Sequence, residues 1–219
     1  MQKRYGKIAV GLLGGSFNPP HLGHVMISQQ MRRRFALDQI WWLVSPANPL
    51  KSHGDLHAYH HRIALAQRFC KTRPWLKLSD FEWRNRLIFS VDTITRLRAR
   101  YKKIRFVWIM GADNLAELHR WRQWRRFAAQ VPIAVHARPG YNRPALASPA
   151  ARMIAKQSST TRRMLKHRPA PAWCFIHARM NALSSTELRR RTNYGAASHG
   201  AQHPARGMRE GRNDHNATA

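Results

Sequence analysis

Two histidines three residues apart, His21 and His24, follow the run Gly14-Gly15-Ser16-Phe17-Asn18-Pro19-Pro20. Glycines let a ligand approach the backbone closely, because no Cβ stands in the way. Where a helix starts beyond such a turn, its free N–H groups and positive dipole end face the same space. The combination describes an anion site. Imidazoles on its rim can donate hydrogen bonds to phosphoryl oxygens whose charge grows in a transition state, and the spacing puts both rings on one face of a first helical turn. A pair of this kind could also do no more than cap the helix or sit on the surface. Zinc is a weaker reading, since neither Cys nor carboxylate stands nearby to complete a ligand set. A Walker-type loop fails for want of a Gly-Lys-Ser/Thr run.

Other residues have the chemistry of an anion or nucleotide site. Ser184, Ser185 and Thr186 offer hydroxyls and N-cap chemistry, with Glu187 in the first turn of the expected helix and Arg189 adding a fixed positive charge. An ordinary helix cap would read the same way. Gly111 and Asp113 follow an apolar run. Trp121 could serve as an aromatic platform for a flat heterocycle, although Trp121 and Trp124 lie three apart and would look the same as a core stripe. Arg138 ends another apolar run, and Ser90 opens a segment of helical spacing.

Positioning these residues requires a scaffold. Apolar, β-branched or aromatic runs recur at 8–13, 40–44, 75–78, 104–110, 133–136 and 173–177, and helical spacing occupies 22–35, 59–69 and 91–101. Strands alternating with helices predict an α/β fold, a Rossmann-like doubly wound parallel sheet with helices on both faces. The first strand is expected to stop at Gly14-Gly15. Its following loop would lie at the carboxyl edge, where open α/β sheets bind ligands. Residues 142–170 read as an irregular connection with a helix near 152–157.

The run Gly14 to His24 resembles the (T/G)xFxPxHxGH signature of the nucleotidylyltransferase superfamily, in the form found in bacterial nicotinate-nucleotide adenylyltransferases. The resemblance extends over about residues 8–191. Leu183-Ser184-Ser185-Thr186-Glu187-Leu188-Arg189 is similar to the family's ISSTxIR motif, the Gly111-Ala112-Asp113 to Trp121 spacing to its GxD and Trp, and Arg138-Pro139-Gly140-Tyr141 to its RPG(Y/F) element. It implies adenylyl transfer from ATP to nicotinate mononucleotide, with Mg²⁺ arriving on ATP. His21 and His24 would be catalytic, steadying the α-phosphoryl oxygens. Gly14, Gly15, Ser16, Phe17, Gly111 and Asp113 would bind the adenylyl part, and Ser185, Thr186 and Arg189 the β and γ phosphates. Ser90, Trp121, Arg138 and Lys51 would bind the mononucleotide. Asn48-Pro49-Leu50-Lys51 departs from the family's PPHK, and Arg122 replaces an aromatic. Nicotinamide mononucleotide and phosphopantetheine are the alternative acceptors.

Composition sets the bounds. The 219 residues allow one domain, expected over 1–191, with a tail at 192–219 too poor in apolar side chains to order itself. The net charge is +29, of which the tail carries only +1. So basic a domain suggests a competing class, a nucleic-acid-binding protein, but no recognisable binding module is present and adhesion is expected to be nonspecific. Two cysteines, Cys70 and Cys174, provide neither a disulfide scaffold nor a CxxC pair. With neither a signal-peptide pattern nor a run of ~20 apolar residues, the expectation is a cytoplasmic protein with no membrane partner; assembly as a homo-oligomer is left open.

Overall fold

The computed structural model describes residues 8–46, 58–156 and 164–177. In chain order these form β1 (Ile8–Gly15), α1 (Leu22–Arg34), β2 (Gln39–Val44), α2 (Tyr59–Cys70), β3 (Leu76–Ser79), α3 (Phe81–Arg84), α4 (Ser90–Arg100), β4 (Ile104–Gly111) and α5 (Ala112–Glu117). A 3₁₀ turn (Leu118–Arg120) leads to α6 (Trp124–Ala128), β5 (Ile133–His136), α7 (Asn142–Ala147), α8 (Pro149–Met153), β6 (Ala155–Lys156) and β7 (Ala172–Ile176). The sheet order is β3-β2-β1-β4-β5-β7-β6, and every pairing is parallel. The direction of winding reverses between β1 and β4, which opens a crevice at their carboxyl ends.

The central strands β1, β4, β5 and β7 bury both of their faces, which is why their runs read as continuously apolar. Val10 and Leu12 of β1 pack with Phe106, Trp108 and Met110 of β4 and with Val91, Ile94 and Leu97 of α4. Ala9 and Leu13 point the other way, into a second cluster with Val107 and Ile109 of β4 and with Val25 and Met31 of α1. Alternation along the strands thus divides the side chains between two cores, one under each helical layer.

Two expectations are corrected. β1 does not stop at Leu13: Gly14 and Gly15 stay in the ladder, opposite Leu43 and Val44 of β2. The parallel neighbour offers them backbone partners, and that outweighs the low strand propensity of glycine. The helix near 152–157 is instead the end of α8 followed by the two-residue strand β6, which pairs with β7. Ser148 caps α8 by accepting a bond from the Ala151 amide at 3.2 Å, so the helix starts earlier than the spacing suggests.

Gly11, in the middle of β1, is required by close packing. A Cβ there would lie 2.6 Å from Ile40 Cδ1, 2.7 Å from Ile109 Cδ1 and 2.9 Å from Leu37 Cδ1. Three apolar tips would have to move at once. Gly11→Ala should destabilise the protein by about 1–3 kcal/mol despite the better strand propensity of alanine; a urea midpoint equal to the parent's would show that the core yields freely.

Candidate active site

The chain leaves β1 through a turn in which Phe17 adopts φ 47°. A left-handed conformation is unfavourable for a bulky residue and persists only where packing fixes it. Here Phe17 is buried, its ring stacked on Trp42 at 4.8 Å and tilted against His24 at 4.8 Å. Trp42 in turn donates to Ser28 Oγ at 2.8 Å, and Ser28 donates to the His24 carbonyl at 2.8 Å. The turn, the first helix and the second strand are therefore locked to one another beside the glycines.

His21 is the N-cap of α1, and its Nδ1 accepts from the Gly23 amide at 3.1 Å. His24 reaches back so that its Nδ1 accepts from the His21 amide at 3.2 Å. The two imidazoles make the reciprocal contacts of a capping box, and their ring centroids lie 3.9 Å apart. Capping and phosphate binding, which the sequence leaves as alternatives, are compatible here. A neutral ring whose Nδ1 accepts must carry its proton on Nε2, so the two contacts set the tautomer of both histidines. Burial lowers the His21 pKa, and Arg138 lowers it further. His24 is pushed down to about 3, by burial first and then by the proximity of His21 and Arg138. Both rings are thus biased towards the neutral form.

The ends of β4 and β5 complete this group. Arg138 forms an ion pair with Asp113 Oδ2. The other oxygen, Asp113 Oδ1, is buried and has no hydrogen-bond partner among the described residues. It lies so close to Gly111 that a Cβ at that position would clash with it. Glycine is needed there for the carboxylate to fold back over the strand end. His136, on β5, places Nε2 within hydrogen-bond distance of Gln30 Oε1 at 3.1 Å and ties α1 to β5 beneath the rim.

Ser90 and Trp121 belong to a second group at the entry of α4. Ser90 is the first residue of α4, Phe89 is its N-cap, and the Arg122 guanidinium lies over the Phe89 ring at 4.6 Å. Trp121 packs its half-buried ring on Phe127 at 5.6 Å, whereas Trp124 enters the core. The core reading therefore fits Trp124, and Trp121 borders the core with part of its surface open. Lys51, Ser185, Thr186 and Arg189 lie outside the described residues.

Sequence reasoning passed over two residues. Arg62 of α2 is 1% exposed, yet its guanidinium reaches three carbonyls: Ser16 at 2.5 Å, Ser45 at 2.9 Å and Pro46 at 3.3 Å. It also lies over the Tyr59 ring at 5.4 Å. This one side chain ties the turn after β1 to the end of β2. Its only sequence signal is a lone Arg at a position where the helix faces inward. Glu82 of α3 is also buried; it accepts from Thr93 Oγ1 at 2.9 Å, and burial pushes its carboxyl up to about 7.

The cytidylyltransferase-like family model matches residues 12–191. A Ruegeria pomeroyi protein named "Probable nicotinate-nucleotide adenylyltransferase" is 45% identical over 87% of this chain and 90% of its own length. One of the same name from Cereibacter sphaeroides is 48% identical over 83% of this chain and 97% of its own. Among solved structures, Plasmodium falciparum nicotinic acid mononucleotide adenylyltransferase complexed with NaAD superposes with a TM-score of 0.63, covering 84% of this chain and 83% of that one. At 16% identity, that similarity concerns the fold.

Two outcomes test these assignments. Arg62→Ala removes a buried guanidinium that donates to three partly buried carbonyls and should destabilise the protein by about 3 kcal/mol; Arg62→Lys should recover only part of this, because an ammonium lacks the planar fork. Denaturant titration of both variants distinguishes a clamp from an idle arginine. Glu82 has a folded-state pKa of about 7, raised from the ordinary carboxyl value of 4.5. Its contribution to stability is thus fully present below the lower value and is lost as pH rises through the upper one. Glu82→Gln should be more stable than the parent at about pH 8.5 and show no such gain at about pH 4.5; an equal difference at both would remove the ionisation from the account.

Proposed function

The chain belongs to the cytidylyltransferase-like family, alongside the bacterial nicotinate-nucleotide adenylyltransferases, and from that premise we propose how its carboxyl rim carries out the reaction. The enzyme transfers the adenylyl group of ATP to nicotinate mononucleotide. A 5′-phosphate oxygen of the mononucleotide bonds to the α-phosphorus. The bond from that phosphorus to the bridging oxygen breaks, pyrophosphate leaves with the electron pair, and the deamido dinucleotide remains. The residues contribute by positioning the reactants and stabilising charge.

The observation that supports this assignment most strongly is the fixed tautomer of the histidine pair. With both Nδ1 atoms engaged as acceptors, His21 and His24 each present Nε2–H at the mouth of α1, where the α-phosphoryl oxygens would sit. As neutral donors they strengthen their bonds as charge builds on those oxygens, without first having to lose a proton. Arg138 supplies the fixed positive charge, and Asp113 both orients it and offers Oδ1 to a donor on the nucleoside. The backbone of Gly14, Gly15, Ser16 and Phe17 cradles the adenylyl group. Ser185, Thr186 and Arg189 take the β and γ phosphates. At the entry of α4, Ser90 holds the mononucleotide and Trp121 flanks its pyridine ring, with Lys51 assisting.

Magnesium enters as part of the substrate. The described carboxylates suit no cage for it, since Asp113 is paired with Arg138 and Glu82 is bonded to Thr93. The triphosphate and water would provide its ligands. Among the described residues no helix is long and apolar enough to cross a membrane, and we place the reaction in the cytoplasm.

His21→Ala should lower kcat by about 10²–10³-fold with the KM for ATP changed far less, read as pyrophosphate release; an unchanged kcat would remove the ring from the reaction. Run in parallel on the parent enzyme with nicotinate mononucleotide, nicotinamide mononucleotide and phosphopantetheine, the same assay should favour the first. Preference for either of the others would displace nicotinate mononucleotide as the acceptor.

A further inference from the structure

Adenylyl transfer accounts for a basic rim, but it does not account for +29, and the charge is distributed unevenly over the fold. Six acidic residues are described. Asp80, Glu82, Asp92 and Asp113 lie at strand ends or helix starts on the carboxyl edge, Glu117 lies one short helix further on, and only Asp38 belongs to the opposite, amino edge. The ion pairs of the described residues, Arg84 with Asp80, Arg120 with Glu117 and Arg138 with Asp113, are all on the acidic side. Asp38 Oδ2, moreover, accepts from the Ala9 amide at 2.7 Å.

Helices that follow parallel strands run back across the sheet and end at the amino edge, and here they end in cations. Arg33 and Arg34 close α1, Lys71 follows α2, Lys102 and Lys103 join α4 to β4, and Arg168 precedes β7; all six are exposed. Charge at a helix C-terminus commonly offsets the macrodipole, but each helix end amounts to only about half a charge. Three helix ends call for far less than this face carries. Crowding is evident at His167, whose pKa is lowered by partial burial and then by Arg105 and Lys166.

We propose that the amino edge of the sheet is a docking face for the phosphodiester backbone of nucleic acid, on the side opposite the adenylyl-transfer rim. A row of exposed cations without acidic partners suits a polyanion. Two guanidiniums at this edge also lie over aromatic rings, Arg32 over Trp75 at 5.6 Å and Arg100 over Tyr101 at 5.7 Å, a pairing of cation and aromatic that suits unpaired bases as well as phosphates. A membrane surface fits less well. Of the described large apolar side chains that are exposed, only Ile8, Met153 and Met164 belong to this edge, too few to insert.

The test uses the full chain, a labelled oligouridylate of about 20 nucleotides at about 0.15 M salt, and vesicles of phosphatidylcholine with phosphatidylserine. A variant with Arg33→Glu, Arg34→Glu, Lys102→Glu and Lys103→Glu should bind the RNA at least about tenfold more weakly and reduce the slope of log K against log salt by about 2–3. Its rate of pyrophosphate release should match the parent's, which also shows that it folds. A control of equal net charge, with Arg84, Arg86, Arg96 and Arg120 changed to Glu, should bind RNA within about threefold of the parent. If the reversals misfold, Gln at the same four amino-edge positions replaces them and should weaken binding in the same order. Equal loss in both variants would reduce the effect to net charge, and parental affinity in the amino-edge variant would eliminate the face. Binding of the parent to vesicles but not to RNA would overturn the choice of partner.

Discussion

Two backbone amides at the mouth of α1 need acceptors, and the chain supplies them from imidazole nitrogens. Much of the active rim follows from that contact. Once His21 Nδ1 takes the Gly23 amide and His24 Nδ1 takes the His21 amide, neither neutral ring can change tautomer without losing a hydrogen bond, and the remaining proton of each stays on Nε2. The bonds that start the helix are the bonds that orient the donors. An aspartate or serine would cap the same amides but would leave no second donor pointing at a phosphate.

Orientation would be of little use on a loose platform, and the platform is held from two sides. On one side Phe17, Trp42 and Ser28 pack and bond against His24. On the other, Arg62 binds the carbonyls of Ser16, Ser45 and Pro46. A buried guanidinium without carbonyls around it would be strongly unfavourable. The ends of the β1 and β2 segments therefore cannot separate without exposing both the charge and its acceptors. The left-handed Phe17 is sustained by the same packing, so the unfavourable turn is held by hydrophobic burial beneath the histidine pair.

The sequence disclosed what is local and left hidden what depends on distance. The glycine turn, the histidine spacing and the alternation of strands and helices are each contained within a few residues, and the fold class could be read from them. Arg62 acts across 46 positions to Ser16, and nothing near it in the chain marks it as a clamp. The dual role of the histidines was legible as two competing readings, because a list of residues does not say which ring nitrogen faces the helix. Gly14 and Gly15 were read as a strand end from their propensity, but pairing with β2 decided the matter. At 155–156 a run compatible with helix is strand because β7 offers an edge to pair with. Trp121 and Trp124 share a spacing, and only packing separates the half-open ring from the core one.

Neutral histidines are an unexpected choice for a site that binds polyanions, and differential binding explains it. A charged imidazolium would hold ATP and the departing pyrophosphate alike, and uniform affinity of that kind lowers KM without raising kcat. A neutral Nε2–H would contribute most where negative charge increases, which in the proposed reaction is on the α-phosphoryl oxygens during transfer. Keeping the rings neutral requires burial and a nearby cation, and the site has both, since Arg138 lies close enough to depress the two pKa values while its own charge is held by Asp113. In the proposed reaction Arg138 would thus act twice, as a fixed charge for the substrate and, after burial, as a second cause of the neutral form of His21 and His24.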